Sequence, residues 1–135
     1  MPLPARNLWR RWLPVLAIGG LSLTSSLICV RNDYSYDDIA IIYQSERTHS
    51  LAAPWKVFTL PYWSKPFEGL YRPLTTLSLA VQWATGGGRP WLVHATSVAL
   101  YLACCLAFYA LARQLLPQLA AWAAAALFAV DPVHV

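Results

Sequence analysis

Charge is what this chain has least of. Of its 135 residues only 12% are Asp, Glu, Lys or Arg, against roughly a quarter in soluble globular domains. With 58% hydrophobic residues and a mean hydropathy of +0.44, this is the composition of a membrane protein. Other absences narrow the function. The three cysteines, Cys29, Cys104 and Cys105, all fall in apolar stretches; a vicinal pair is badly placed for a disulfide, so they read as small packing residues. No His, Cys, Asp and Glu cluster has metal-ligand spacing, so no metal is expected. Gly86-Gly87-Gly88 is followed by Arg89-Pro90, not by the Lys-Ser/Thr of a phosphate loop, and reads as a hinge. Nothing resembles a serine or cysteine triad. The net charge of +4 is not gathered into a basic run with interleaved aromatics, which argues against nucleic acid.

What is present divides the chain by hydropathy. Residues 1–12 form a basic arm in which Arg6, Arg10 and Arg11 precede the first apolar stretch, the placement that holds a terminus in the cytoplasm. Residues 13–30 are uncharged and just long enough for a spanning helix; Gly19, Gly20, Ser22, Ser25 and Ser26 offer a small-residue face for another helix. A cleaved signal peptide is the rival reading, but no small-x-small site precedes Arg31 and further apolar spans follow. A lipoprotein site at Cys29 is disfavoured by the bulk of Leu27-Ile28.

Residues 31–89 form an outward loop too polar to span. Trp55, Phe58, Leu60, Tyr62, Trp63 and Phe67 alternate with Pro54, Pro61, Pro66, Lys56, Lys65 and Glu68, and Trp and Tyr favour the headgroup level. This segment is expected to lie on the membrane. Pro73 suits a helix start, and Leu70, Leu74, Leu77 and Val81 recur at helical spacing, so an interfacial helix is expected from about Pro73 to Trp83, ended by the glycine triplet. Residues 90–112 form the second span and Arg113 marks its cytoplasmic end. Residues 113–118 are a cytoplasmic turn broken by Pro117. Residues 119–135 start a third, Ala-rich helix, too short to cross alone, that leads outward to Asp131 and His134. The fold expected is an all-α integral membrane bundle, N-terminus cytoplasmic, with interfacial helices in its first outward loop. The polar motif beginning at Asp131 reads as the front of a longer polytopic protein.

Three patches carry a resemblance. Tyr36-Asp37-Asp38 follows the first span, Tyr62-Trp63 precedes Tyr71-Arg72-Pro73-Leu74 with His94 opening the second span, and Leu127 to His134 closes the third. In order and spacing the chain resembles the GT-C glycosyltransferases, polytopic enzymes using polyprenyl-phosphate sugars. Within them it is similar to the protein O-mannosyltransferase-like branch that includes the transmembrane and tetratricopeptide-repeat mannosyltransferases. It departs from them at Asp131, where the family more often has His.

The resemblance implies transfer of a sugar, mannose in that branch, from a lipid-linked donor to a protein or lipid hydroxyl. No cofactor is expected; the polyprenyl-phosphate sugar is a substrate. By resemblance Asp37 is the candidate base, with Asp38 second, since adjacent carboxylates split their proton affinities. The competing reading is that the pair favours the N-terminus of a helix beginning near Ile39. Arg72, with a planar fork suited to phosphate oxygens, is the candidate for the donor phosphate; snorkelling to lipid headgroups is its alternative. Lys56, Lys65 and Arg89 lean to headgroup contact and His94 to packing. Asp131 and His134 form a possible second motif. A different class of function stays open, a non-enzymatic membrane subunit or scaffold whose loop docks on lipid or a partner. A transporter fragment is disfavoured because the central span holds no buried charge and no break.

Overall fold

A computed structural model of the chain describes residues 8–62 and 70–131. Among them all regular structure is helical. The long helices are α1 (Leu8–Ser26), α2 (Pro73–Gly86), α3 (Pro90–Leu115) and α4 (Gln118–Val130), with short 3-10 and π turns between α1 and α2. The chain divides into two compact units, one of Met1–Cys29 with Ala95–Val135 and one of Val30–His94.

The first unit is built on small residues. Ala121, Ala125 and Ala129 recur every fourth position of α4 and are fully buried, so one stripe of that helix can meet a neighbouring backbone closely. They pack with Ile18 of α1 and with Cys105, Tyr109 and Ala112 of α3. Cys105 is thus a packing residue with a free thiol, as is half-buried Cys29, while Cys104 faces outward. Polar side chains complete the contact. The Ser25 hydroxyl donates to Ala129 O at 3.0 Å and the Tyr101 hydroxyl to Phe128 O at 3.0 Å. Both carbonyls lie in the last turn of α4, where helix carbonyls lack an intrahelical partner. The rings of Phe108 and Phe128 stack at 4.7 Å. Ser22 is buried and donates to Gly19 O, satisfying its hydroxyl on its own helix.

Among the described residues two helices are long and apolar enough to cross a membrane, Trp12–Arg31 with 20 residues and hydropathy 2.0, and Pro90–Leu115 with 26 residues and hydropathy 1.9. Only 17% and 22% of their apolar windows are buried. A core helix of a soluble protein would be mostly buried, whereas these present Leu16, Ile28, Leu100 and Leu111 outward. Helix α4, with 13 residues, reaches about 20 Å at 1.5 Å per residue, short of a hydrocarbon core of about 30 Å.

The buried Ala stripe yields a prediction. Ala125→Leu adds three carbons where no space exists and should destabilise the unit by about 1–3 kcal/mol. Leu127→Ala, on a side chain 71% exposed, should change the thermal unfolding midpoint in detergent far less. Equal shifts would show that the stripe is not the packing surface.

Several boundaries differ from the sequence expectation. Helix α1 starts at Leu8, inside the basic arm, and its last turn tightens to a 3-10 turn over Leu27–Arg31. Helix α3 continues past Ala112 to Leu115, because Arg113 and Gln114 are good helix formers. It stops one residue before Leu116, whose helical conformation Pro117 disfavours.

The second unit packs Ile41, Ile42, Leu79 and Val93 under Tyr34, Tyr62 and Trp83. Its turns are closed by side chains. Buried Thr48 donates from Oγ1 to Ile42 O at 2.9 Å and to Ser45 O at 2.8 Å. His49 stacks on Trp83 with ring centroids 3.7 Å apart. Helix α2 buries Thr76, Leu79 and Ala80, while Leu74 (71%) and Val81 (45%) stay exposed. The apolar spacing expected to organise this helix therefore marks its outward side. It ends at Gly87, φ +61, whose N–H donates to Trp83 O at 2.9 Å. Gly88 follows at φ +75, and a Cβ there would stand 2.8 Å from the Trp83 ring. Gly88→Ala should accordingly cost about 1–2 kcal/mol, read as a lowered unfolding midpoint; an unchanged midpoint would show that Trp83 swings aside and the backbone relaxes.

Candidate active site

The candidate site lies in the Val30–His94 unit and begins where the chain leaves its first apolar helix. Tyr36 adopts φ +47, the only positive φ at a non-glycine among the described residues. Such strain persists where the surroundings enforce it, and it clusters at functional segments. It turns the chain so that Asp38 N–H donates to Ser35 O at 3.0 Å, and a single π turn follows over Ile39–Tyr43. Asp37 is exposed and Asp38 half-buried. Asp38 stands at the N-cap position of that turn with helical φ and ψ, and its side chain makes no capping bond. The helix-terminus reading of the pair thus has no hydrogen bond behind it, although the field of one short turn still acts on both carboxylates.

Arg72 precedes Pro73, the first residue of α2, in a non-helical conformation with φ −137° and ψ 64°. Its carbonyl is held by both Thr76 N and Thr76 Oγ1 at 3.1 Å. The backbone at Arg72 is therefore fixed and the side chain projects from a rigid base. Its guanidinium carbon lies 5.5 Å from the centroid of the Tyr62 ring, within cation–π range.

Tyr62 is the residue on which the site converges. Its backbone N–H donates to Leu70 O at 2.7 Å. Burial raises its phenol above the ordinary value; Arg72 pulls it down by charge and by a hydrogen bond, and Asp38 and Asp37 push it up. One side chain thus feels the two carboxylates and the guanidinium together. Tyr34 is raised by burial and then by Asp38, and its ring lies 6.4 Å from those of Tyr43 and His94. The Tyr34 hydroxyl and His94 Nε2 are both buried with no hydrogen-bond partner.

Of the residues picked out separately in the sequence, Arg72 lies against the Tyr62 ring, and Asp38 and Asp37 act on the Tyr62 phenol through their charge. Asp131 is not described with them; it is the half-buried C-cap of α4 in the other unit. His134 lies outside the described residues, as do Trp63, Lys65, Pro66, Phe67 and Glu68. Sequence reasoning assigned Tyr62 no role, although its Tyr-Trp patch was visible, because nothing local says that a ring will stand beneath an arginine ten residues later. Tyr34 was missed as well; its signal was its place three residues before the Asp pair. Among the described residues no three His, Cys, Asp or Glu side chains cluster as metal ligands.

Chemically, an aspartate pair offers a proton acceptor, and a guanidinium held against an aromatic ring offers an anion-binding fork. The chain is 33% identical over 109 residues to the protein O-mannosyl-transferase Tmtc2 of Drosophila melanogaster, covering 75% of this chain and 12% of that protein. It is 30% identical over 127 residues to the protein O-mannosyl-transferase TMTC2 of Homo sapiens, covering 88% of this chain and 15% of that protein. With TMTC3 of Mus musculus it shares 25% identity over 115 residues. The chain thus spans about an eighth of the length of the curated relatives it matches. No family model matches it, and no solved structure does. Over most of its own length, then, this chain is similar in sequence to the protein O-mannosyl-transferases.

Proposed function

We propose that the chain is part of a multi-pass membrane glycosyltransferase of GT-C type that moves mannose from a polyprenyl-phosphate donor to a protein hydroxyl. The observation that supports this reading is the contact of Arg72 with the Tyr62 ring, whose phenol also feels the charge of Asp38 and Asp37, in a unit joined at both ends to apolar helices. The relatives' names supply the class of sugar and acceptor.

In this reading the acceptor hydroxyl, a weak nucleophile, attacks the anomeric carbon of the lipid-linked sugar. The bond from that carbon to the phosphate oxygen breaks and the electron pair leaves with the lipid phosphate. Asp37 draws off the hydroxyl proton as the new bond forms. Asp38, nearer to Tyr62 in its electrostatic effect, orients the site and keeps local charge from collapsing onto the arginine. Arg72 faces the departing phosphate, where a fixed planar fork is worth most because negative charge develops there. The Tyr62 ring beneath it limits the directions the guanidinium can take. By the positive-inside rule Arg113 stays cytoplasmic and the Val30–His94 unit faces outward or to the lumen.

The test is direct. The protein carrying this chain, reconstituted in vesicles with polyprenyl-phosphomannose and an acceptor protein rich in Ser and Thr, should transfer mannose. A preparation that is folded, inserted and inactive with every polyprenyl-phosphate sugar offered would overturn the enzyme reading in favour of a membrane subunit.

A further inference from the structure

We infer that the Val30–His94 unit carries a binding site for the phosphate headgroup of an anionic membrane phospholipid, formed by Arg47 and Lys56 beside the exposed ridge of Trp55, Phe58 and Leu60. This goes beyond the transferase reading and does not depend on it. The cavity concerned has a volume of about 270 Å³ and is lined on its polar side by Glu46, Arg47, Ser50 and Lys56. Val57 and Leu60 are among its apolar lining. At that size, just below the roughly 300 Å³ at which clefts begin to hold drug-sized ligands, it suits a headgroup better than a glycan or a folded partner. Asp37, Asp38 and Arg72 are not among its described lining residues.

The surroundings select the ligand. The 3-10 turn Pro54–Phe58 buries Val57 and turns Trp55 (66% exposed) and Phe58 (50%) outward. Exposed Trp and Phe beside a lysine is the arrangement of residues that sit at headgroup level, the rings in the acyl boundary and the cation among phosphates. Arg47 is held for this purpose, since Nη1 donates to Pro61 O at 2.6 Å; the guanidinium is preorganised, and phosphate is the anion its geometry fits. Among the described lining residues Arg47 and Lys56 outweigh Glu46 by a single positive charge. Both ends of the unit run into helices long and apolar enough to span a membrane, so the unit is tethered close to headgroups and meets them at a high effective concentration.

The full protein, purified in detergent and stripped of lipid, is titrated with brominated phosphatidylglycerol while tryptophan fluorescence is followed. Saturable quenching is expected, with its largest component lost in Trp55→Phe. Lys56→Gln should weaken the apparent affinity about fivefold, and Arg47→Gln with Lys56→Gln about thirtyfold, as expected for two cations near an anionic surface. Lys56→Arg should bind as the unmodified protein does. Lys56 is exposed, so its variants do not hang on the fold, whereas Arg47→Gln also removes the bond to Pro61 O. Arg113→Gln, an equal loss of charge at an exposed position outside this unit, should leave binding unchanged; a loss equal to that of Lys56→Gln would reduce the site to diffuse attraction and overturn it. Equal binding of brominated phosphatidylcholine, whose own ammonium competes for the phosphate, would overturn it too. Full competition by glycerol phosphate at the same concentration would reassign the cavity to a soluble anion, and selective capture of polyprenyl phosphate would reassign it to the donor.

Discussion

Asp37→Asn is expected to abolish sugar transfer while leaving expression, insertion and unfolding midpoint unchanged. The substitution keeps the size and one acceptor oxygen of the side chain but removes its ability to take a proton. Positioned bases contribute about 10²- to 10⁴-fold to such reactions, and a loss in that range is the expected result. Asp37 is exposed, so the fold has little to lose. Asp38→Asn is expected to be milder in rate and to act on its neighbours. Asp38 raises the phenols of Tyr34 and Tyr62; with its charge gone both tyrosines should ionise at lower pH, visible as an earlier rise in tyrosinate absorbance. Transfer retained in Asp37→Asn and lost in Asp38→Asn would exchange the two roles, and transfer retained in both would remove the pair from the chemistry.

The second large effect belongs to Arg72. Arg72→Lys preserves the charge and loses the planar fork and the contact with the Tyr62 ring. Hydrogen bonds to charged groups contribute about 1.5–3 kcal/mol, so a fall of about 10- to 100-fold in kcat/KM for the lipid-linked donor is expected, with the acceptor KM unchanged. A fold role cannot produce that split, because a loosened unit would affect both substrates. Tyr62→Phe keeps the ring and should fall well short of Arg72→Lys, whereas Tyr62→Leu removes the face on which the guanidinium rests and should move in the same direction as Arg72→Lys. An effect confined to the acceptor KM would take Arg72 away from the donor phosphate.

The two predictions share a feature that explains how the site was legible. Asp37, Asp38 and Arg72 are charged residues in a chain that is nearly free of charge, standing just outside apolar stretches where a charge is costly unless used or hydrated. Their scarcity made them visible. Tyr62 was not, because tyrosine at a membrane surface is common and its meaning here comes only from what lies above it. The same holds for Arg47. In sequence it is one basic residue among ten; in the fold it lines a cavity with Lys56 and is pinned by Pro61 O.

What the sequence by itself determined was hydropathy and punctuation. Uncharged runs bounded by arginine specify which segments are long and apolar enough to span, and Pro73, Gly87 and Pro117 specify where helices begin and end, because these signals act on their own backbone within a few residues. Tertiary structure decided which faces are covered. Leu74 and Val81 have the spacing of a packed helix face, yet the buried positions of α2 are Thr76, Leu79 and Ala80. Periodicity records where apolar side chains lie around a helix, and a chain with a membrane beside it has two apolar environments to offer them. Which one each face meets depends on residues far away in sequence, as does the contact of Arg72 with the Tyr62 ring.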